Sequence, residues 1–445
     1  MSDVQENAAS PARSAMVKAM WRILPLIVIS YLAAYIDRVN ISFAAAKMNA
    51  DLQFTATIYG LGGGLFFLGY ALFEVPSNLL LARFGPRTWI ARIMVTWGLL
   101  AAAMIFVRTP MQFYALRFLL GVAEAGFFPG VIFFLALWFP AAYRGGAISL
   151  FYAAGPLASI VMGGLSAWLL DLDGHMHLHG WQWLFLVQGL PAVALGLLVL
   201  AFLPDTPGAS AWLAPKEKAW IATALDEDAA RIGQPVAHSL LAALRHPFVW
   251  QLGAIGFLTT GPNLAFILSA PTVLHDAAGL DMKQIGHLVT LGGALGCVSI
   301  ILAGFLSDRR GERLGPALLG ALSLAVIFGV LAVFHSPGVV IAAYLCFAVT
   351  CFTTQMLAAS AWPDVLHPRL LVVGAAAINM LANLGGFVAP YAWGAARDAT
   401  GGYHLGLMSL PVAYLVAAAL ILNLRRQLRG KSLGEPGLEP AVVDA

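Results

Sequence analysis

Arg117-Phe-Leu-Leu-Gly-Val-Ala-Glu124-Ala-Gly-Phe-Phe-Pro129-Gly-Val-Ile-Phe-Phe134 places an arginine and a glutamate inside an apolar run long enough to cross a bilayer. The two residues are about two helical turns apart, so their side chains share one face, roughly 10 Å apart along the axis. One reading is an internal ion pair that stiffens the helix. The other is a polar pathway, because charges at membrane depth are costly and usually face a bundle interior or a water-filled cavity. Arginine suits bidentate recognition of a carboxylate. A glutamate in a partly desolvated cavity can carry a proton. A second acid–base pair, Asp37-Arg38, lies in the first apolar segment. Adjacent residues on a helix point about 100° apart, so one can face a cavity while the other contacts neighbouring helices.

The surrounding composition fits a membrane chain. Of 445 residues, 60% are hydrophobic and 11% charged, with a mean hydropathy of +0.82, whereas a soluble domain carries roughly 25% charged residues. The 45 glycines suit close helix packing in lipid. A net charge of +3, with no basic cluster interleaved with aromatics outside the apolar segments, argues against a nucleic-acid partner. Cys297, Cys346 and Cys351 all lie in apolar stretches, so no disulfide framework is expected. Residues 1–20 are polar, without the apolar core or cleavage site of a removable signal peptide.

Apolar stretches of spanning length occur at 21–46, 57–82, 88–107, 111–139, 146–170, 181–203, 247–274, 284–306, 314–334, 338–361, 371–396 and 404–424. The pattern predicts an all-α membrane protein of twelve transmembrane helices in two six-helix halves. Its parts are a tail (1–20), a first half (21–203), a linker (204–246), a second half (247–424) and a closing tail (425–445). Within the linker, Pro215-Lys-Glu-Lys-Ala-Trp220 reads as a helix start with proline in the first turn. Trp212 and Trp220 are placed to lay that helix on the membrane interface. With the N-terminus inside, only Lys47, Arg108, Lys283 and Arg397 fall outside and Arg38 and Arg117 within the membrane; all other Lys and Arg are internal. That bias predicts both termini in the cytoplasm.

The halves also repeat a motif. Asn78-Leu-Leu-Leu-Ala82-Arg83-Phe-Gly85-Pro-Arg87 matches Gly304-Phe-Leu-Ser-Asp308-Arg309-Arg-Gly311-Glu-Arg313, about half a chain later. Corresponding loops in two halves mark parallel-repeat transporters. The glycines allow tight turns, and Asp and Arg can latch across a helix end.

This loop pattern resembles the signature of the major facilitator superfamily, intact in the second half and with Ala82 in place of the usual Asp in the first. Residues 20 to 425 resemble its anion:cation symporter branch, most closely bacterial permeases for tartrate, phthalate, galactonate and similar carboxylates. The resemblance is carried by Tyr35-Ile-Asp37-Arg38-Val-Asn40, Gly69-Tyr70 to Asn78, Arg117 to Pro129, Trp138-Phe-Pro140, Gly180 to Phe185, and Asn379-Met-Leu-Ala-Asn383-Leu-Gly-Gly386-Phe. It implies a proton-coupled symporter importing a small organic carboxylate by alternating access in a bacterial inner membrane. The expected partners are that anion, protons and lipid, with the chain monomeric. No cofactor is expected beyond the proton gradient as energy source, and no nucleotide-binding P-loop is present. An organic-anion uniporter or exchanger on the same fold is the alternative; a non-transporting sensor would need a larger cytoplasmic module.

By the same resemblance Arg38 grips the substrate carboxylate, Arg117 orients Glu124 or the substrate, and Asp37 and Glu124 carry protons. Tyr70, Asn379 and Asn383 are further substrate contacts, with Tyr152 and Asn263 as additional candidates. The asparagines equally suit plain interhelical hydrogen bonding. Glu74, before Pro76, is expected to have a structural or gating role beside the motif residues Arg83, Gly85, Arg87, Gly304, Asp308, Arg309, Gly311 and Arg313. Gly261-Pro262 is expected to break its span near the site. His175, His177 and His179 alternate in a glycine-flanked loop and read as solvated, so no metal site is expected. No nucleophile–base constellation suggests an enzyme.

Overall fold

In hydrocarbon every backbone N–H and C=O must be satisfied within its own segment, so apolar runs of this length close into helices. The computed structural model describes residues 2–152, 154–232, 245–310, 313–334, 336–366 and 368–433, with no strand among them. Twelve of its helical segments are long and apolar enough to cross a membrane. The first half comprises α1 (Ser2–Leu52), α2 (Ala56–Phe84), α3 (Pro86–Ala103), α4 (Pro110–Glu124), α5 (Phe127–Trp138), α6 (Ala141–Tyr152), α7 (Ala154–Leu170) and α8 (Gly180–Phe202). Here α4 with α5, and α6 with α7, each make one span. A linker helix, α9 (Pro215–Ile232), precedes the second half. That half holds α10 (Pro247–Ala278), α11 (Met282–Arg310), α12 (Leu314–Val333), α13 (Pro337–Ser360), the short α14 (Trp362–Val365), α15 (Pro368–Thr400) and α16 (His404–Leu433).

Three elements differ from expectation. The polar stretch before residue 21 is not a separate tail: it continues α1 for several turns. Ala15, Met16 and Ala19 are buried, and the Glu217 carboxylate on α9 accepts hydrogen bonds from Ser14 Oγ (2.7 Å) and Lys18 Nζ (2.7 and 3.0 Å). Trp212 stacks on Trp138 at 5.4 Å between centroids, and Trp220 meets Tyr143 edge-on. The linker tryptophans therefore dock against the first half.

The second difference is a break in the Arg117 stretch. Ala125 leaves the helix (φ −55°, ψ 132°) and Gly126 turns left-handed (φ +86°) before α5 begins. Only glycine adopts that φ without strain, and a Cβ there would also collide with the Ser77 side chain. Glu124 is thus the last residue of α4. The third is that Gly261-Pro262 does not interrupt α10, which runs unbroken past it. Neighbouring helices tolerate a proline inside a membrane helix, and Gly261 packs against the Gly385 backbone of α15.

The halves meet where α2 lies on α15, α7 on α11 and α1 on α10. These contacts gather at the end of the bundle opposite the chain termini. Gly60 and Gly64 of α2 press on the Pro390 and Phe387 carbonyls, Gly394 of α15 presses on Ala56, and Gly163 and Gly286 abut each other; a Cβ fits at none of them. Asp398 of α15 accepts from the Ala56 and Thr57 amides at the start of α2, at 3.0 and 2.7 Å. Tyr59 Oη donates to the Leu268 carbonyl of α10 at 2.9 Å.

Candidate functional site

Between the halves, in the middle of the bundle, lies a cavity of about 270 Å³ lined from α1, α2, α7, α10, α11, α13 and α15. Arg38 is the one Lys or Arg among its described lining residues, which include no Asp or Glu. Of the four charges singled out in the sequence, Asp37 and Arg38 separate as their adjacency on a helix predicts. Arg38 faces the cavity, while Asp37 is buried behind it and accepts from Asn40 Nδ2 at 3.5 Å.

The pairing of Arg117 with Glu124 is corrected. Glu124, fully buried, is held by Arg38 instead: Nε and Nη2 approach the same oxygen, Oε1, at 2.7 and 2.5 Å. The Arg38 guanidinium lies over the Tyr70 ring at 5.0 Å, a cation–π contact that steadies it. Arg117 is 1% exposed and does not line the cavity. Its Nε donates to the Gly62 carbonyl at 3.4 Å and its guanidinium sits 4.9 Å from the Phe66 ring. It lies within electrostatic range of Asp37 and Glu124. Arg117, Asp37 and Glu124 therefore form a buried layer behind Arg38. Among the described residues Asp37 Oδ2 and Glu124 Oε2 have no hydrogen-bond partner.

Tyr70 is buried under Arg38 and is not part of the lining, so the structure does not present it to a ligand. Tyr152 is half-exposed, edge-on to Phe128 and Phe151, and likewise lies outside the cavity. Asn263, Asn379 and Asn383 all line it. Asn379 Nδ2 donates to both oxygens of the Glu74 carboxylate, at 2.7 and 2.9 Å, joining α2 to α15. Asn383 Nδ2 donates to the Asn379 carbonyl at 3.0 Å. Asn263 is buried, with Oδ1 unpartnered among the described residues. Sequence reasoning did not single out Ser42, Ser159, Thr260, Tyr344 and Gln355 of the lining, and named Tyr35 only within the stretch that carries the resemblance. The signal of the first five was polarity within apolar spans.

The repeated loops lie at the terminal end. Gly85 makes the turn from α2 to α3 with φ +83°. Asp205, just past α8, accepts from the Arg87 amide at 3.0 Å, and Arg87 Nε donates to the Leu200 carbonyl at 2.6 Å. A carboxylate from the end of α8 thus serves the turn where Ala82 offers none. Arg83 lies over the Phe84 ring at 5.6 Å. In the second half Gly304, Asp308 and Arg309 fall in the last turns of α11. Arg313 donates to the Ser360 carbonyl, and Gly311 lies outside the described residues. His175 and His177 are exposed, and His179 Nδ1 lies 3.2 Å from Asp51. No group of potential metal ligands occurs among the described residues.

Several known proteins are similar. The chain is 40% identical over 415 residues to a putative tartrate transporter of Agrobacterium vitis, covering 92% of this chain and 94% of that one. It is 38% identical over 425 residues to the putative metabolite transport protein NicT of Pseudomonas putida, at 92% and 94% coverage. It is 33% identical over 408 residues to the inner membrane transport protein RhmT of Escherichia coli, at 91% and 94%. Among solved structures, an inward-facing, occupied bacterial homologue of the human lysosomal transporter Spinster superposes with a TM-score of 0.73 at 15% identity, covering 97% of this chain and 99% of that one. The xylose transporter XylE from E. coli, in a partially occluded inward-open conformation, gives 0.72 at 14% identity, covering 91% and 99%. The family model of the Major Facilitator Superfamily matches residues 27–390, and with twelve spans in two halves around a central cavity the chain belongs to that superfamily of membrane transporters.

Proposed function

We propose that this protein imports a small organic carboxylate anion by alternating access, with protons as the coupling ion. The carrying observation is Arg38, a cation facing the central cavity while bound to one oxygen of the buried Glu124. Charge-assisted contacts from arginine favour carboxylates. Glu124 and substrate compete for one guanidinium: protonation of Glu124 frees Arg38 for the anion, and departure of the anion followed by release of the proton on the same side returns Arg38 to the Glu124 carboxylate. Asp37, beside Arg117, is the second proton carrier. Glu74 and Asn379 tie the halves next to the cavity and serve as a gate. The excess of Lys and Arg at the terminal end supports placing both termini in the cytoplasm of the bacterial inner membrane. The chain would then work as a monomer, with no cofactor.

The test is uptake into proteoliposomes of purified protein under an imposed pH gradient. Glu124→Gln and Asp37→Asn cannot change charge, so concentrative uptake is lost while counterflow exchange persists in at least one variant. Accumulation by both variants, driven by the pH gradient alone, would remove protons on these residues from the mechanism. Wild-type uptake indifferent to the gradient would make the protein a uniporter or exchanger.

A further inference from the structure

We propose that the turn from α2 to α3, on the outer wall of the first half, binds one anionic phospholipid, with Arg92 on its phosphate. Arg92 lies six residues into α3, about 9 Å along the axis, inside the span Pro86–Phe106. An arginine stays charged at any accessible pH, and at that depth a charge needs a partner. Among the described residues no carboxylate or carbonyl accepts from the Arg92 side chain, and its Nε is buried without a partner. The guanidinium rests instead on the Trp89 ring, 4.0 Å from the centroid.

The helix itself directs this side chain. Helical side chains lean towards the N-terminus of their helix, and α3 starts at the end of the bundle that carries the chain termini. Arg92 therefore leans to the headgroup level rather than to the bilayer centre. It also lies on the outer face of α3. Thr88, four residues before it, and Leu99, seven after, are exposed, whereas Ile90, Ala91, Ile93 and Met94 are buried against the rest of the half. An arginine so placed snorkels along apolar surface to the lipid phosphates.

The platform beneath Arg92 is fixed. Trp89 Nε1 donates to Ser77 Oγ at 3.0 Å, and its ring stacks on Phe84 with centroids 5.7 Å apart and planes at 11°. Arg83 lies over the same Phe84 ring. Two guanidiniums thus accompany a pair of stacked rings at the membrane interface, where aromatic side chains anchor. The carboxylate beside this turn, Asp205, already accepts from the Arg87 amide. Arg83 and Arg92 leave a positive charge that a phosphodiester neutralises through charge-assisted hydrogen bonds. Exposed Leu80 and Phe84 on α2 and Leu99 on α3 extend apolar surface along the same wall for the acyl chains. Phosphate contact, basic charge and an apolar flank together select an anionic lipid. Its binding is independent of what the central cavity carries.

The experiment titrates the purified full-length protein in detergent with palmitoyl-oleoyl phosphatidylglycerol or phosphatidylcholine and counts bound lipids by native mass spectrometry. The first phosphatidylglycerol is expected to bind at least fivefold tighter than the first phosphatidylcholine. Arg92→Leu shrinks that preference to less than twofold, and Arg13→Leu, which removes an exposed arginine of α1 at the same end, keeps it. Equal loss in both variants would mean diffuse attraction to a basic surface and overturn the site; an unchanged preference in Arg92→Leu would overturn it as well. A second measurement uses the wild type alone, so it decides even should Arg92→Leu fail to fold. Phosphatidylglycerol with a diazirine near the head of one acyl chain is expected to crosslink between Leu80 and Leu99, and to lose that crosslink to unmodified phosphatidylglycerol but not to phosphatidylcholine. Crosslinks confined to other segments refute the assignment. Displacement by inorganic phosphate as effective as displacement by the lipid would make this a site for free oxyanions and overturn the lipid as its occupant.

Discussion

Arg38 and Arg117 have the same chemistry and contrasting environments. Arg38 faces the cavity with Glu124 Oε1 beside it, whereas Arg117 is enclosed by Phe66 and the Gly62 carbonyl. Arg38→Ala is expected to weaken carboxylate binding by about 2–5 kcal/mol, the usual result of truncating one partner of a buried hydrogen-bonded charge pair. Arg117→Ala instead leaves a void and uncompensated carboxylates, so it lowers the melting temperature of the ligand-free protein by several degrees. Thermal denaturation with and without ligand separates the two: Arg38→Ala loses the ligand-induced shift as well as some baseline stability, since it strips Glu124 of its guanidinium, whereas Arg117→Ala loses baseline stability and keeps the shift in whatever protein folds. A ligand-free Arg117→Ala melting at the wild-type temperature would contradict this assignment. That Asp37 and Arg38 diverge was legible in the sequence, since adjacent helical residues must. The partner of Glu124 was not: spacing along α4 shows which residues share its face, but not that α1 carries a nearer guanidinium. Nor does glycine in an apolar run announce a break, because glycines such as Gly60, Gly64, Gly69 and Gly121 in similar runs serve close packing within unbroken helices.

At the element scale, two helix ends are held by side chains remote in sequence. The opening turn of α2 needs partners for its free amides. Thr55 Oγ1 takes that of Ile58 at 3.3 Å, and Asp398 of the other half takes those of Ala56 and Thr57. Asp398→Ala removes a cap worth about 0.5–2 kcal/mol and favours separation of the halves at that end. In a background with Cys297→Ser and Cys346→Ser, a membrane-impermeant thiol reagent supplied from that side should label Cys351 in the cavity about two- to thirtyfold faster. An unchanged rate would mean that the contact does not hold the end closed. The second end is α9. Burial alone would raise the Glu217 carboxyl, but Lys18, Ser14 and the Ala214 amide outweigh it and hold it down at about 2. A depressed carboxyl contributes its stabilisation above its ordinary range and loses it as pH falls through the folded value. The α1–α9 contact is therefore intact from pH 7 down to about 4 and weakens toward pH 2. Trp212 emission should stay constant across the first interval and shift to the red in the second; Glu217→Ala should show the shifted emission already at pH 7. Proline and tryptophan in 212–220 revealed that helix in advance. Its docking partner was hidden, being about two hundred residues away.

For the whole molecule, the twelve spans and the division into halves were readable because lipid forces one pattern on the chain: apolar runs of fixed length. How the halves meet was not readable. Glu74 and Asn379 are 305 residues apart, and nothing local in either helix marks the other. The backbone-to-backbone seam of Gly60, Gly64, Gly163, Gly286 and Gly394 has a consequence of its own. Two bodies that meet at positions without side chains can be held apart by a shim. Gly163→Val or Gly394→Leu adds a few ångströms of thickness at a hinge-like joint without altering one residue of the cavity. Double electron–electron resonance between spin labels at that end of α7 and α11 should report a longer mean separation in Gly163→Val than in the parent. An unchanged distance would show that the seam yields locally. The choice between conformations is then a mechanical setting, graded by the size of one side chain, and a set of such variants would give the protein stopped at successive positions of its stroke.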